Sequence, residues 1–212
     1  MNTESPFHET SLDENVNALR RDLLAEDGPQ ISTMRNYRFA ILPYRPQLEL
    51  KLRRLMTGLT GELLAEGWGV LPISLHRILL DRIRATGEAN VQALVERERR
   101  LFQKDPERGL AHLRDKIAPH IEGPEGIAAD VAKLIEDFAE KNRDNPDRTV
   151  VFIGRAGALY PFFRSSALLK HIDGKTRNVP TVLLYPGERR GNGLSFMCEL
   201  EPDNDYRPRI YG

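Results

Sequence analysis

The chain predicts an α/β fold: a mostly parallel central sheet flanked by helices, with a helical insertion in the middle. Three observations predict it. Thr149-Val150-Val151-Phe152-Ile153 and Pro180-Thr181-Val182-Leu183-Leu184-Tyr185 are continuous apolar runs, the pattern of strands buried on both faces. Between them, Leu159 to Ile172 reads as a helix, and a crossover of that size joins parallel neighbours. Third, residues 86–148 contain no convincing strand but several stretches of helical periodicity.

The elements follow in order. Residues 10–25 carry Leu12, Val16, Leu19 and Leu23 on one helical face; Thr10 or Ser11 serves as cap, and Glu26-Asp27-Gly28-Pro29 ends the helix. Tyr37 to Leu42 is an aromatic and β-branched run, read as a first strand closed by Pro43. Residues 46–66 read as a helix with a stripe of Leu48, Leu52, Leu55, Leu59 and Leu63, broken by Gly67-Trp68-Gly69. Val70 to Ile73 makes a second strand that contains Pro72, so an edge position suits it. Ser74 caps a third helix with Leu75, Ile78, Leu79 and Ile83 facing the core.

Asn90–Lys104, Pro106–Pro119 and Ile127–Lys141 form the charged helical segment, with Gly123-Pro124-Glu125-Gly126 as a turn. After the strand at 149–153, Gly154-Arg155-Ala156-Gly157 is a tight turn. The strand at 180–185 is expected to stop at Pro186-Gly187, with further strands at 194–200 and 206–211. The expected organisation is one domain: helix and linker at 1–36, a first α/β half at 37–85, the helical segment at 86–148, and a second half at 149–212.

Composition excludes several classes. Over 212 residues, Lys+Arg is 31 and Asp+Glu is 31, which argues against a dominant nucleic-acid or membrane-surface footprint. No apolar run reaches the roughly 20 residues of a membrane-spanning helix. The polar start MNTESPFHETSLDEN is no signal peptide, and a cytoplasmic protein is the expectation. The single cysteine, Cys198, excludes an intramolecular disulfide and any cysteine-rich zinc site; its place in a strand would make it an inert thiol.

The loop Gly154–Gly157 sits where an open parallel sheet binds ligands, outside the carboxyl end of a strand. The simpler reading is a plain strand-to-helix turn. The alternative is an anion-proximal loop, with Gly154, Arg155, Gly157 and Arg164 as ligand- or phosphate-proximal candidates. Neither a P-loop nor a dinucleotide glycine pattern is present, so no cofactor is expected. Arg189 and Arg190 are further arginines near the strand ends, with solvation the simpler reading. Tyr160-Pro161-Phe162-Phe163 opens the expected helix; three large aromatics so close cannot all face inward on one helix, so core packing is the simpler reading of the cluster and a partner surface or pocket for at least one of them the alternative. His8, His76, His112, His120 and His171 match no zinc pattern, so no metal is expected. No serine elbow or other catalytic constellation stands out, so the chain reads as no enzyme.

Residues 149–169 resemble the signature of the BrxB family, small components of BREX (bacteriophage exclusion) systems. The matching positions are Gly154, Gly157, Tyr160, Pro161, Phe162, Arg164, Ser165 and Leu168-Leu169. Val179 to Gly187, Leu194 to Leu200, Asp205-Tyr206-Arg207 and Phe39 to Pro46 are similar to the family's other segments. Arg155-Ala156 between the glycines and Pro208 after the arginine depart from its usual pattern. The resemblance implies antiviral defence beside a methyltransferase, an ATPase and the phosphatase-superfamily protein PglZ. It implies a non-catalytic interaction subunit that docks a PglZ-like or other BREX component, with Tyr160, Phe162, Phe163, Arg164, Tyr206 and Arg207 as partner-interface candidates. A degenerate nucleotide- or phosphate-binding domain is the alternative, and nucleic-acid binding a less favoured one.

Overall fold

The computed structural model describes residues 11–31, 38–123, 125–163, 165–172, 175–176, 178–191, 193–202 and 208–212. The side chains of 166, 167 and 170 are excluded. The elements are α1 (Leu12–Leu23), β1 (Phe39–Tyr44), α2 (Glu49–Ala65), β2 (Gly69–Ser74), α3 (Leu75–Ala85), α4 (Glu88–Lys104), α5 (Pro106–Ile121), α6 (Ile127–Lys141), β3 (Thr149–Gly154), α7 (Ser165–Ile172), β4 (Thr181–Arg190), β5 (Gly193–Phe196) and β6 (Arg209–Ile210).

The sheet runs in the order β2-β3-β4-β1-β6, with every pairing along that path parallel and β5 antiparallel to β4. The α/β architecture and the helical insertion, α4 to α6 between β2 and β3, are as expected. The chain leaves β1 through α2 to reach the far edge strand β2, then steps back through β3 and β4 to lie beside β1. Right-handed crossovers running in opposite directions place their helices on opposite faces. The core divides accordingly. Leu19, Leu23, Leu52, Leu59 and Leu63 of α1 and α2 pack on Ala40, Leu42, Val150, Phe152 and Val182. The other face carries Ile41, Val151, Ile153 and Leu183 under Leu75, Ile117, Ile127, Val131, Ile135 and Leu168 of the remaining helices.

Local chemistry explains the termini. Ser11 and Glu14 form a reciprocal capping box at the start of α1. Ion pairs Arg20–Glu62 and Lys51–Asp13 tie α1 to α2. Asp22 holds the C-terminal strand region: the Tyr211 hydroxyl donates to it at 2.8 Å and Arg209 pairs with it at 2.6 Å.

Prolines account for the strand details. Pro72 lies in β2, which pairs with β3 alone, so a missing N–H is tolerated. Pro43 does not end β1, which continues to Tyr44; β6 pairs only with Ala40 and Ile41 and makes no demand at Pro43. Pro186-Gly187 does not stop β4 either. At this dipeptide β4 exchanges its parallel partner β1 (Tyr44 opposite Pro186) for its antiparallel partner β5 (Gly187 opposite Phe196). A Cβ on Gly187 would lie 2.2 Å from the Ser195 carbonyl oxygen and 2.5 Å from the Tyr185 ring, so only glycine fits.

Three further expectations are corrected. The helix after β3 starts at Ser165, not Leu159: residues Ala156–Leu159 form a 3-10 turn, and Tyr160 is extended (φ −64, ψ 139) because Pro161 pushes its predecessor out of the helical region. The strand expected at 194–200 is β5, which ends at Phe196. Cys198 therefore lies not in a strand but in a turn, half-buried with φ 61. Of the strand expected at 206–211, Arg209–Ile210 forms β6, while Tyr206 and Arg207 lie outside the described residues.

Candidate functional site

Opposite exits open a crevice. The chain leaves β1 toward the α1–α2 face and β3 toward the other, so the carboxyl ends of these strands part company with β4 between them. This is the switch point at which open parallel sheets bind ligands. Here it is a crevice of about 150 Å³. Tyr44 and Glu49 enter from the β1 side, Arg155 and Gly157 from the β3 side, and Pro186 and Met197 form the wall between.

Each lining group is placed by local structure. Pro46–Leu48 form a 3-10 turn that carries Glu49 into the first turn of α2, where a carboxylate suits the helix dipole. Arg155 sits directly after β3 in the left-handed region (φ 66), a conformation costly for a side-chain-bearing residue, on the order of 1–3 kcal/mol. Gly157 keeps the opposite wall close: a Cβ there would meet Met197 Sδ at 3.1 Å and Pro186 Cγ at 3.3 Å.

Glu49 is the hub. The Tyr44 hydroxyl donates to its Oε2 at 2.5 Å, and Arg53 Nε and Arg155 Nη1 donate to its Oε1 at 3.1 and 3.0 Å. The bond from Arg155 joins residues 106 apart in the chain and spans the crevice. Burial raises the Glu49 pKa, but the hydrogen bonds from Tyr44, Arg53 and Arg155 outweigh it and hold the carboxyl below its ordinary value. Burial, and then the bond to Glu49, push the Tyr44 phenol far above its ordinary value. Near neutral pH the pair is a carboxylate and a neutral phenol, joined across the crevice wall as a brace.

The candidates from sequence distribute unevenly over this site. Arg155 and Gly157 line the crevice. Gly154 ends β3 opposite Ser74, and a Cβ there would make only an ordinary contact, 3.4 Å, with Leu184. Tyr160 is 38% exposed and Phe162 half-buried, so this turn presents aromatic surface. Phe163 is 2% exposed, its ring 5.8 Å from that of Phe196; as a partner-interface candidate it is corrected to a core residue. Arg164, Tyr206 and Arg207 lie outside the described residues. Arg189 and Arg190 do not join Arg155. They lie at the far end of β4, about 10 Å or more of strand past Pro186. There Arg190 binds Glu188 at 2.8 Å and the Cys198 carbonyl at 3.1 Å, and Arg189 binds the Gly191 carbonyl at 3.3 Å. Burial, followed by the nearby Glu188 charge, pushes the Cys198 thiol up.

Tyr44, Glu49 and Met197 were not singled out from sequence. Only Glu49 left a signal there: an acid in the first turn of a helix that follows a strand exit.

Residues 71–210 match the family model described as BREX protein BrxB. A Bacillus cereus (strain H3081.97) protein described as BREX protein BrxB is 34% identical over 77 residues. That alignment covers 36% of this chain and 37% of the relative. No solved structure matches the chain.

Proposed function

This chain belongs to the BrxB family; from that premise we propose that it is a component of a BREX phage-defence system, a non-catalytic subunit that docks a PglZ-like protein, or another component of the system, at the strand-end surface. The carrying observation is the turn after β3. Its exposed Tyr160 and half-buried Phe162 stand beside a crevice whose one acid, Glu49, is already committed to Tyr44, Arg53 and Arg155. An exposed and a half-buried aromatic beside a braced crevice have the make-up of a binding hot spot.

The test is co-purification of the tagged chain with its neighbouring operon products, with complex mass read by light scattering. A stoichiometric complex that Tyr160→Ala with Phe162→Ala weakens at least roughly tenfold, the scale of an aromatic hot spot, is the expected result. A monomer that retains no neighbour overturns the proposal. The crevice also favours a second reading, a small anionic ligand at Arg155. Such a ligand must compete with Glu49 for the guanidinium, and it predicts a rise in melting temperature with millimolar nucleotide.

A further inference from the structure

The helical segment holds a second and larger groove, about 580 Å³, where the end of α3 meets the α4–α5 hairpin. Its floor is apolar, with Ile83, Ala93 and Leu94. Its walls are basic. Arg97 and Arg100 follow Ala93 at helical spacing on α4, and His112, Lys116 and His120 recur every fourth residue along α5. The walls hold one acid, Glu96, which pairs with Arg100 at 3.3 Å. Among the described residues, Arg97 and Lys116 are in no ion pair.

This charge is sorted, not merely abundant. Over residues 88–121 the cations Arg97, Arg99, Arg100, Lys104, Arg108, Arg114 and Lys116 are nearly balanced by Glu88, Glu96, Glu98, Asp105, Glu107 and Asp115. Most of the acids lie off the groove. Helix α4 spans 17 residues and buries none of them, so its groove face is not consumed by the protein's own core. From Asn90 to Arg100 the groove runs about 15 Å, the length of an α-helix of about ten residues.

We propose that this groove docks an acidic amphipathic helix of another protein, whose apolar face meets Leu94 and Ala93 and whose carboxylates meet Arg97, Arg100 and Lys116. The proposal rests on the docking reading above but places a second contact on a different surface. An apolar floor suits a helix-in-groove mode, whereas a phosphate backbone needs a basic stripe without it, and the acids around the hairpin repel phosphates.

The test places the photo-crosslinking residue p-benzoylphenylalanine at the exposed Ala93 in cells carrying the complete defence system. The crosslinked segment is then mapped by mass spectrometry. The expected result is an adduct to a protein segment rich in Asp and Glu with apolar residues at helical spacing. Its yield falls at least roughly tenfold when Arg97→Glu and Lys116→Glu are added, as desolvated charge pairs require. Both side chains are exposed, so the double variant keeps its fold, which thermal melting verifies. An adduct to nucleic acid, an adduct to a segment without net negative charge, a yield indifferent to the charge reversal, or no adduct at all overturns the proposal. If the adduct is missing while the tagged chain still co-purifies with its partner, the groove proposal falls and the strand-end docking stands. If co-purification also fails, both fall.

Discussion

Glu49 shows how one side chain makes a site that no local motif announces. Its carboxylate gathers Tyr44 from five residues before, Arg53 from four residues after and Arg155 from 106 residues away. Because its folded pKa lies below the ordinary value, folding favours the charged form. That contribution is present above the unfolded glutamate value, about 4.3, and is lost as pH falls through the folded value. Glu49→Gln is therefore expected to melt below wild type at neutral pH, with the gap closing as acid protonates the wild-type carboxylate. Melting curves above and below the glutamate range measure this, and a gap independent of pH would show that the ionised form contributes nothing. Arg155 was legible as a candidate because it sits between glycines after an obvious strand. Tyr44 and Glu49 were not, since their significance depends on where the sheet order places them.

At the scale of elements, burial governs what the sequence discloses. Strand β3 was plain because nearly every residue in it is buried, which produces an unbroken apolar run. The turn before α7 was misread because Tyr160 to Phe163 has helical hydrophobicity, while Pro161 sets the backbone. That error has a measurable consequence. Phe163→Ala removes a buried ring packed on Phe196 and is expected to cost about 3–5 kcal/mol. Tyr160→Ala is expected to stay within about 0.5 kcal/mol of wild type. Urea denaturation separates them; equal losses would show that Tyr160 is as structural as Phe163. Loss of defence in a Phe163 variant therefore reports unfolding, and Tyr160 is the better probe of docking. Helix α4 is the opposite case. With no buried residue, it is expected to exchange its amide hydrogens well before β1, β3 and β4. Hydrogen-exchange mass spectrometry reads this directly, and protection of α4 equal to that of the sheet would refute it.

For the whole molecule, the decisive quantity is how charge is distributed over the fold. The total is zero, 31 cations against 31 anions, and the ion pairs confirm that many are spent on one another: Arg20 with Glu62, Lys51 with Asp13, Arg82 with Asp130, Arg209 with Asp22. The basic groove of the helical segment is an exception, but it holds only three permanently charged cations, Arg97, Arg100 and Lys116, one of them paired with Glu96. Each phosphate neutralised on duplex DNA contributes about −0.9 to the slope of log affinity against log salt. A surface with so few uncommitted cations therefore predicts a shallow slope, no steeper than about −3, and weak binding near 0.15 M ionic strength, of the order of 10⁻⁵ M or weaker. Fluorescence anisotropy of a labelled duplex across a salt series measures both quantities. A steep slope with tight binding would mean that the arginines act together on phosphate. It would replace the proposed docking role with a direct contact with DNA. The shallow slope expected here agrees with the docking proposed through aromatic and helical surfaces.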